Sequence, residues 1–157
     1  MDVEPEHLRR LGEVWVPTPI YFITTCAAGR MNRLGNESFH SIAVEVWRNC
    51  ERLYGWRVGR YVIMPDHVHF FACEASEPRP LSVFVGKWKE WTAKYCARRL
   101  GAPPPIWQPE FFDHVLRSSE GYGQKWEYVL NNPVRASLVT APDEWKFQGE
   151  LNAMRFD

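Results

Sequence analysis

No stretch of this chain has the run of apolar residues needed to span a bilayer. Its start, Met1-Asp2-Val3-Glu4-Pro5-Glu6, is acidic and lacks the apolar centre of a secretory signal, so a cytoplasmic protein with no membrane partner is expected. Net charge is missing as well. Nineteen Lys and Arg balance nineteen Asp and Glu, which argues against indiscriminate binding to polyanions. The four cysteines, at 26, 50, 73 and 96, form no Cys-x-x-Cys pair, which excludes a zinc knuckle. Cys50, Cys73 and Cys96 fall within helix or strand patterns and are expected as buried free thiols. There is no internal repeat and no low-complexity tract.

What is present is one domain's worth of chain. At 157 residues it can bury roughly 70% of its unfolded surface. A single domain over 1–157 is expected, with a core at about 19–147 and terminal extensions at 1–18 and 148–157. Eight Trp, nine Phe and six Tyr fill that core with large rings. Charge is unevenly spread. Between Arg79 and Gly101, Arg79, Lys87, Lys89, Lys94, Arg98 and Arg99 face only Glu90, and acidic termini cancel them in the sum. Such a local basic face can steer a polyanion whatever the total.

β-branched and aromatic residues at 19–26 predict a first strand. Apolar positions Phe39, Ile42, Ala43, Val46, Trp47, Cys50, Leu53 and Tyr54 predict an amphipathic helix over 38–54, capped by Asn36 or Ser38 and ended by Gly55. Two strands follow, 57–64 and 67–73, joined tightly through Pro65-Asp66. A second helix, 81–99, carries Phe84, Trp88, Trp91 and Tyr95 before Gly101 and Pro103-Pro104-Pro105 stop it. A fourth strand at 111–116 and a third helix at 119–131 complete the pattern, with Pro133 ending that helix. The order βαββαβ plus a C-terminal helix predicts an α+β fold. It is a ferredoxin-like antiparallel sheet with helices on one face and a last helix carrying Tyr128.

The chemistry lies in Met64-Pro65-Asp66-His67-Val68-His69-Phe70-Phe71. Side chains alternate along a strand, so His67 and His69 point to one side and offer a divalent metal two nitrogens from a rigid element. Tyr128 and Asn132 are one helical turn apart and can complete the site. On a helical wheel Tyr122, Trp126, Val129 and Leu130 form the buried arc, and Tyr128 lies off it with Gln124, Lys125 and Asn132. A phenol attacks phosphodiesters well once deprotonated, and a cation such as Lys125 favours that form. Mg²⁺ or Mn²⁺ suits imidazole nitrogens, an amide oxygen and open positions for phosphate. The product would be a 5′-phosphotyrosine and a free 3′-hydroxyl. Other His-x-His enzymes fit poorly: metallo-β-lactamase-like hydrolases continue with an Asp-His pair where Phe70-Phe71 stand, the histidine-triad type needs a third histidine at position 71, and an amidohydrolase barrel needs a longer chain.

Three blocks in fixed order carry a resemblance. They are Met64-Pro65-Asp66-His67-Val68-His69, Ile106-Trp107-Gln108-Pro109-Glu110-Phe111-Phe112-Asp113-His114, and Tyr128-Val129-Leu130-Asn131-Asn132-Pro133-Val134-Arg135-Ala136. Over about 19–147 the chain resembles the single-tyrosine HUH transposases, and within them the REP-associated tyrosine transposases. The resemblance implies metal-dependent cleavage and rejoining of single-stranded DNA near hairpins. It maps the metal histidines onto His67 and His69, the nucleophile onto Tyr128 and a completing ligand onto Asn132. The acidic N-terminal region departs from the basic one of many such proteins. Small mobile-element relatives pair as dimers that exchange the tyrosine helix, whereas REP-associated members resemble monomers, so monomer and homodimer both stand.

Other residues are weighed with these. Gln124, Lys125 and His114 are candidates to support the site, and Lys87, Lys94 and Arg98, one stripe of the second helix, are candidates to touch DNA. Asp66 reads as a turn residue, and His7 and His40 have no case. Two alternatives to the transposase reading remain: a retired module that binds DNA hairpins without cutting, and an unrelated metal-dependent hydrolase. Intact His67, His69 and Tyr128 favour the enzyme.

Overall fold

Antiparallel pairing of five short strands organises the computed structural model, which describes residues 19–154. In chain order the elements are β1 (Ile20–Cys26), α1 (Glu37–Tyr54), β2 (Trp56–Ile63), β3 (His67–Glu74), α2 (Leu81–Leu100), β4 (Phe112–Leu116), α3 (Ser119–Leu130), the single turn α4 (Asn132–Arg135) and β5 (Gln148–Glu150). The strands lie in the order β4-β1-β3-β2-β5. This is the expected ferredoxin-like arrangement with one strand added at the β2 edge.

That added strand corrects the expected boundary at 147. The Ile63 N–H donates to the Phe147 carbonyl at 2.8 Å and the Trp145 indole donates to the Ile63 carbonyl at 3.0 Å. These bonds dock the tail on β2, and Met154 beyond it is buried. The expected N-terminal extension, with its acidic residues and His7, lies outside the described residues.

Side-chain alternation divides the sheet. Ile23, Tyr61, Ile63, Val68, Phe70 and Ala72 face α1 and α2 in the main core. There Trp47 stacks on Trp88 with ring centroids 4.9 Å apart, and Trp56 stacks on Phe84 at 5.3 Å. Helix α1 starts where the Asn36 side chain accepts the Phe39 N–H at 2.8 Å. It ends at Gly55, whose φ of 77° and close approach to Ser76 leave no room for a side chain. The opposite face carries Ile20, Phe22, Phe71 and Val62, and α3 covers it with Tyr122, Trp126 and Val129. The helices expected on one face are thus α1 and α2, and the tyrosine helix lies across the other. All four cysteines are free and buried. Among the described residues no helix is long and apolar enough to cross a membrane.

Candidate active site

His67 and His69 open β3 and face the α3 side, where His67 lies opposite Cys26 and His69 lies between Thr24 and Val62. Their rings meet edge to face with centroids 4.6 Å apart. Each Nδ1 already has a partner: Asp66 Oδ1 at 2.8 Å for His67, and Thr24 Oγ1 at 2.8 Å for His69. A carboxylate on Nδ1 fixes the His67 proton there and leaves the Nε2 lone pair free. Asp66 is itself held by Arg30, whose Nε donates to Oδ2 at 3.0 Å. Burial raises the Asp66 carboxyl, but the hydrogen bonds and charges of His67 and Arg30 outweigh it and hold the group below the usual carboxylate range. His69 stacks on Phe22 at 5.1 Å. Burial first, then the charges of His67, Lys125, Arg135 and Arg30, lower its pKa to about 3. At neutral pH His69 is therefore uncharged, the form that can ligate a metal.

Helix α3 brings the second half of the site. The Ser118 hydroxyl accepts the Gly121 N–H at 3.0 Å and sets its start. Val129 is fully buried against the sheet, and the Arg60 guanidinium covers Trp126 at 4.9 Å. Pro133 then forces a new turn. Asn132, at that break, places its side-chain nitrogen 3.4 Å from His67 Nε2. One turn earlier Tyr128 is 60% exposed. The Arg135 guanidinium lies 3.8 Å from the centre of its ring and donates to the Tyr128 carbonyl at 2.7 Å and to Asn132 Oδ1 at 3.3 Å.

Among the described residues no three His, Cys, Asp or Glu side chains gather as a metal site. A metal here would therefore take two imidazole Nε2 atoms and the Asn132 amide, with its other positions open. The residues fit that role, since both Nδ1 atoms are engaged and the amide adjoins His67. The set suits Mg²⁺ or Mn²⁺ better than a closed structural zinc site.

No family model matches the chain. The REP-associated tyrosine transposase of Escherichia coli K12 is 28% identical over 92 residues, or 59% of this chain. The match spans about half of that protein's length, 53%. An uncharacterized protein of Haemophilus influenzae is 23% identical over 149 residues, covering 73% of this chain and 79% of its own. A solved structure of a REP-associated tyrosine transposase bound to a REP hairpin shares the fold with a TM-score of 0.72 at 20% identity, covering 87% of this chain and 79% of that one. The chain is similar in sequence and in fold to REP-associated tyrosine transposases.

His67, His69 and Asn132 come together within one chain, and the exposed Tyr128 lies on α3, four residues before Asn132. Lys125 reaches the site, but its ammonium sits 5.1 Å above the Phe22 ring. The cation on the Tyr128 ring is Arg135, not Lys125, because the sheet's aromatic face captures the lysine. Gln124 is exposed and donates to Glu120 at 3.3 Å. His114 is exposed on β4 opposite Phe22 and makes no hydrogen bond among the described residues. Lys87, Lys94 and Arg98 belong to α2, across the sheet from the histidines; Lys87 and Lys94 pair with Glu90 at 3.4 and 3.0 Å. Asp66 lies in the β2–β3 turn as read and also anchors His67. Thr24, Arg30 and Arg135 escaped the sequence reading. Only Asp66, adjacent to a candidate ligand, carried a signal that could have found it.

Proposed function

We propose that this chain cleaves and rejoins single-stranded DNA beside hairpins, with Tyr128 as nucleophile and a divalent ion, Mg²⁺ or Mn²⁺, held by His67, His69 and Asn132. The observation that carries this reading is the 3.4 Å approach of Asn132, four residues after Tyr128, to His67 Nε2 of the same chain. A bound ion would polarise the scissile phosphate and stabilise the departing oxygen. The chain's own residues supply the rest. The Tyr128 oxygen forms a bond to phosphorus as the bond to the 3′-oxygen breaks, giving a 5′-phosphotyrosine and a 3′-hydroxyl. Reversal joins strands, because the bond energy stays in the adduct. The Arg135 guanidinium lies 3.8 Å from the centre of the Tyr128 ring. Arg30, Lys125 and Arg135 surround the histidines with positive charge that suits a phosphate.

A solved relative holds a REP hairpin, which supports a hairpin-bearing DNA partner for this chain. Because one copy supplies every proposed group, a monomer suffices, and cytoplasmic DNA is the expected substrate. The test is a denaturing gel of protein mixed with hairpin-bearing single strands and Mn²⁺. A covalent band is expected, with Tyr128→Phe lowering it by more than about 10³-fold. A shift on a native gel without that band would make the chain a binding module. Cleavage surviving Tyr128→Phe would make it a hydrolase.

A further inference from the structure

Arg135 is exposed, yet its guanidinium is held by the Tyr128 carbonyl at 2.7 Å, the Asn132 side-chain oxygen at 3.3 Å and the face of the Tyr128 ring. Arginine only donates, so it claims the one oxygen of the Asn132 amide. The amide nitrogen is thereby turned toward His67 Nε2 at 3.4 Å. This orientation offers a donor where an ion on the two imidazoles would need an oxygen. Turning the amide over delivers the oxygen but sets its NH₂ against the guanidinium, donor against donor.

We propose that Arg135 is a positioning residue that latches the ion site. It competes with a divalent ion for Asn132 Oδ1, so loading the site frees the guanidinium from Asn132 while its bond to the Tyr128 carbonyl remains. The freed N–H groups stay beside the phenol, placed to receive an oxygen of the DNA phosphate. The latch makes readiness of the tyrosine side depend on occupancy of the histidine side. It rests on the ion site proposed above and not on covalent attack by Tyr128.

The test is Mn²⁺ alone, titrated into the whole chain without DNA and followed by the electron paramagnetic resonance of free Mn²⁺. Arg135→Met is expected to bind Mn²⁺ about tenfold more tightly, roughly the worth of one charge-assisted hydrogen bond. In an Asn132→Ala background the same change should gain clearly less, since only the removed charge then acts. Equal gains in both backgrounds, or none in the native one, overturn the latch. A second measurement uses Mg²⁺ and ¹⁵N NMR. The Asn132 amide and Arg135 guanidinium signals should move together on loading, and an unmoved Arg135 signal again overturns it. A covalent DNA band with neither effect removes the latch and leaves the function standing. Both effects without a band do the reverse.

Discussion

The two faces of one sheet are built from the same strands and do opposite work. Toward α1 and α2, Trp47, Trp56, Trp88, Phe70 and Phe84 are closed from solvent, and of their three indoles only that of Trp47 lacks a hydrogen-bond partner among the described residues. The Trp88 indole donates to Ala43, and the Trp107 indole donates to Thr92. Toward α3, the imidazoles and Asn132 are only partly covered, and Lys125, Arg135 and Arg30 stand around them. Strand β3 joins the two faces. Val68 and Phe70 point into the dry core with no exposed surface, so His67 and His69, pointing the other way, are held by a backbone that cannot shift. Rigidity comes from one face and chemistry from the other.

The largest effect that tests this division is Trp88→Ala. It should cost about 3–5 kcal/mol of stability by urea denaturation, from lost burial and the cavity left between the stacked rings. At a temperature where the variant is still folded, covalent DNA adduct per folded molecule should stay within about twofold of the native value. An adduct yield that falls with stability would mean the faces are coupled.

Acid should act through the site face. His69 is held to about 3 in the fold against an ordinary 6.5. Between those values the unfolded chain binds a proton that the folded chain refuses, so stability falls as pH drops from 6.5 toward 3. The contribution is complete above 6.5. Asp66, held low by His67 and Arg30 against its burial, adds to the loss only near and below its ordinary 3.8. His40, lowered by burial against the opposing charge of Glu37, keeps a slope of the same sign on the dry face. With EDTA present, urea midpoints across this range should flatten in His69→Gln and retain only the remainder. An unchanged slope in His69→Gln would remove His69 as its source.

The strands and helices were legible in the chain to within about one residue, because alternation and helical period survive any tertiary context. The exceptions are the single turn α4, which Pro133 opens rather than closes, and β5: Gln148-Gly149-Glu150 has no apolar pattern and is a strand only because β2 offers it an edge. In the site, His67, His69 and Asn132 were readable from spacing along single elements. Thr24 and Arg30 were not, since their roles depend on strand register and on a loop that returns to the Pro65-Asp66 turn. Lys125 was readable as a wheel neighbour of Tyr128, but a helical wheel does not show that Phe22 of the sheet lies beneath its ammonium.

The same blindness explains the basic stripe of α2, and it yields the smallest effect. A stripe shows which face of a helix is charged, but not which face of the sheet that helix covers. Lys87, Lys94 and Arg98 lie across the sheet from the histidines, and Glu90 already pairs with two of them. Exposed pairs of this kind contribute little to stability, but they reduce the field a distant phosphate would feel. Replacing all three with Gln should therefore change hairpin DNA affinity by less than about twofold and leave its salt dependence unaltered. Lys125→Gln, beside the histidines, should lower the slope of log affinity against log salt by about 0.7, one single-strand phosphate contact. A slope reduced by about 2 in the triple variant would place DNA on the α2 side and end the separation of the two faces.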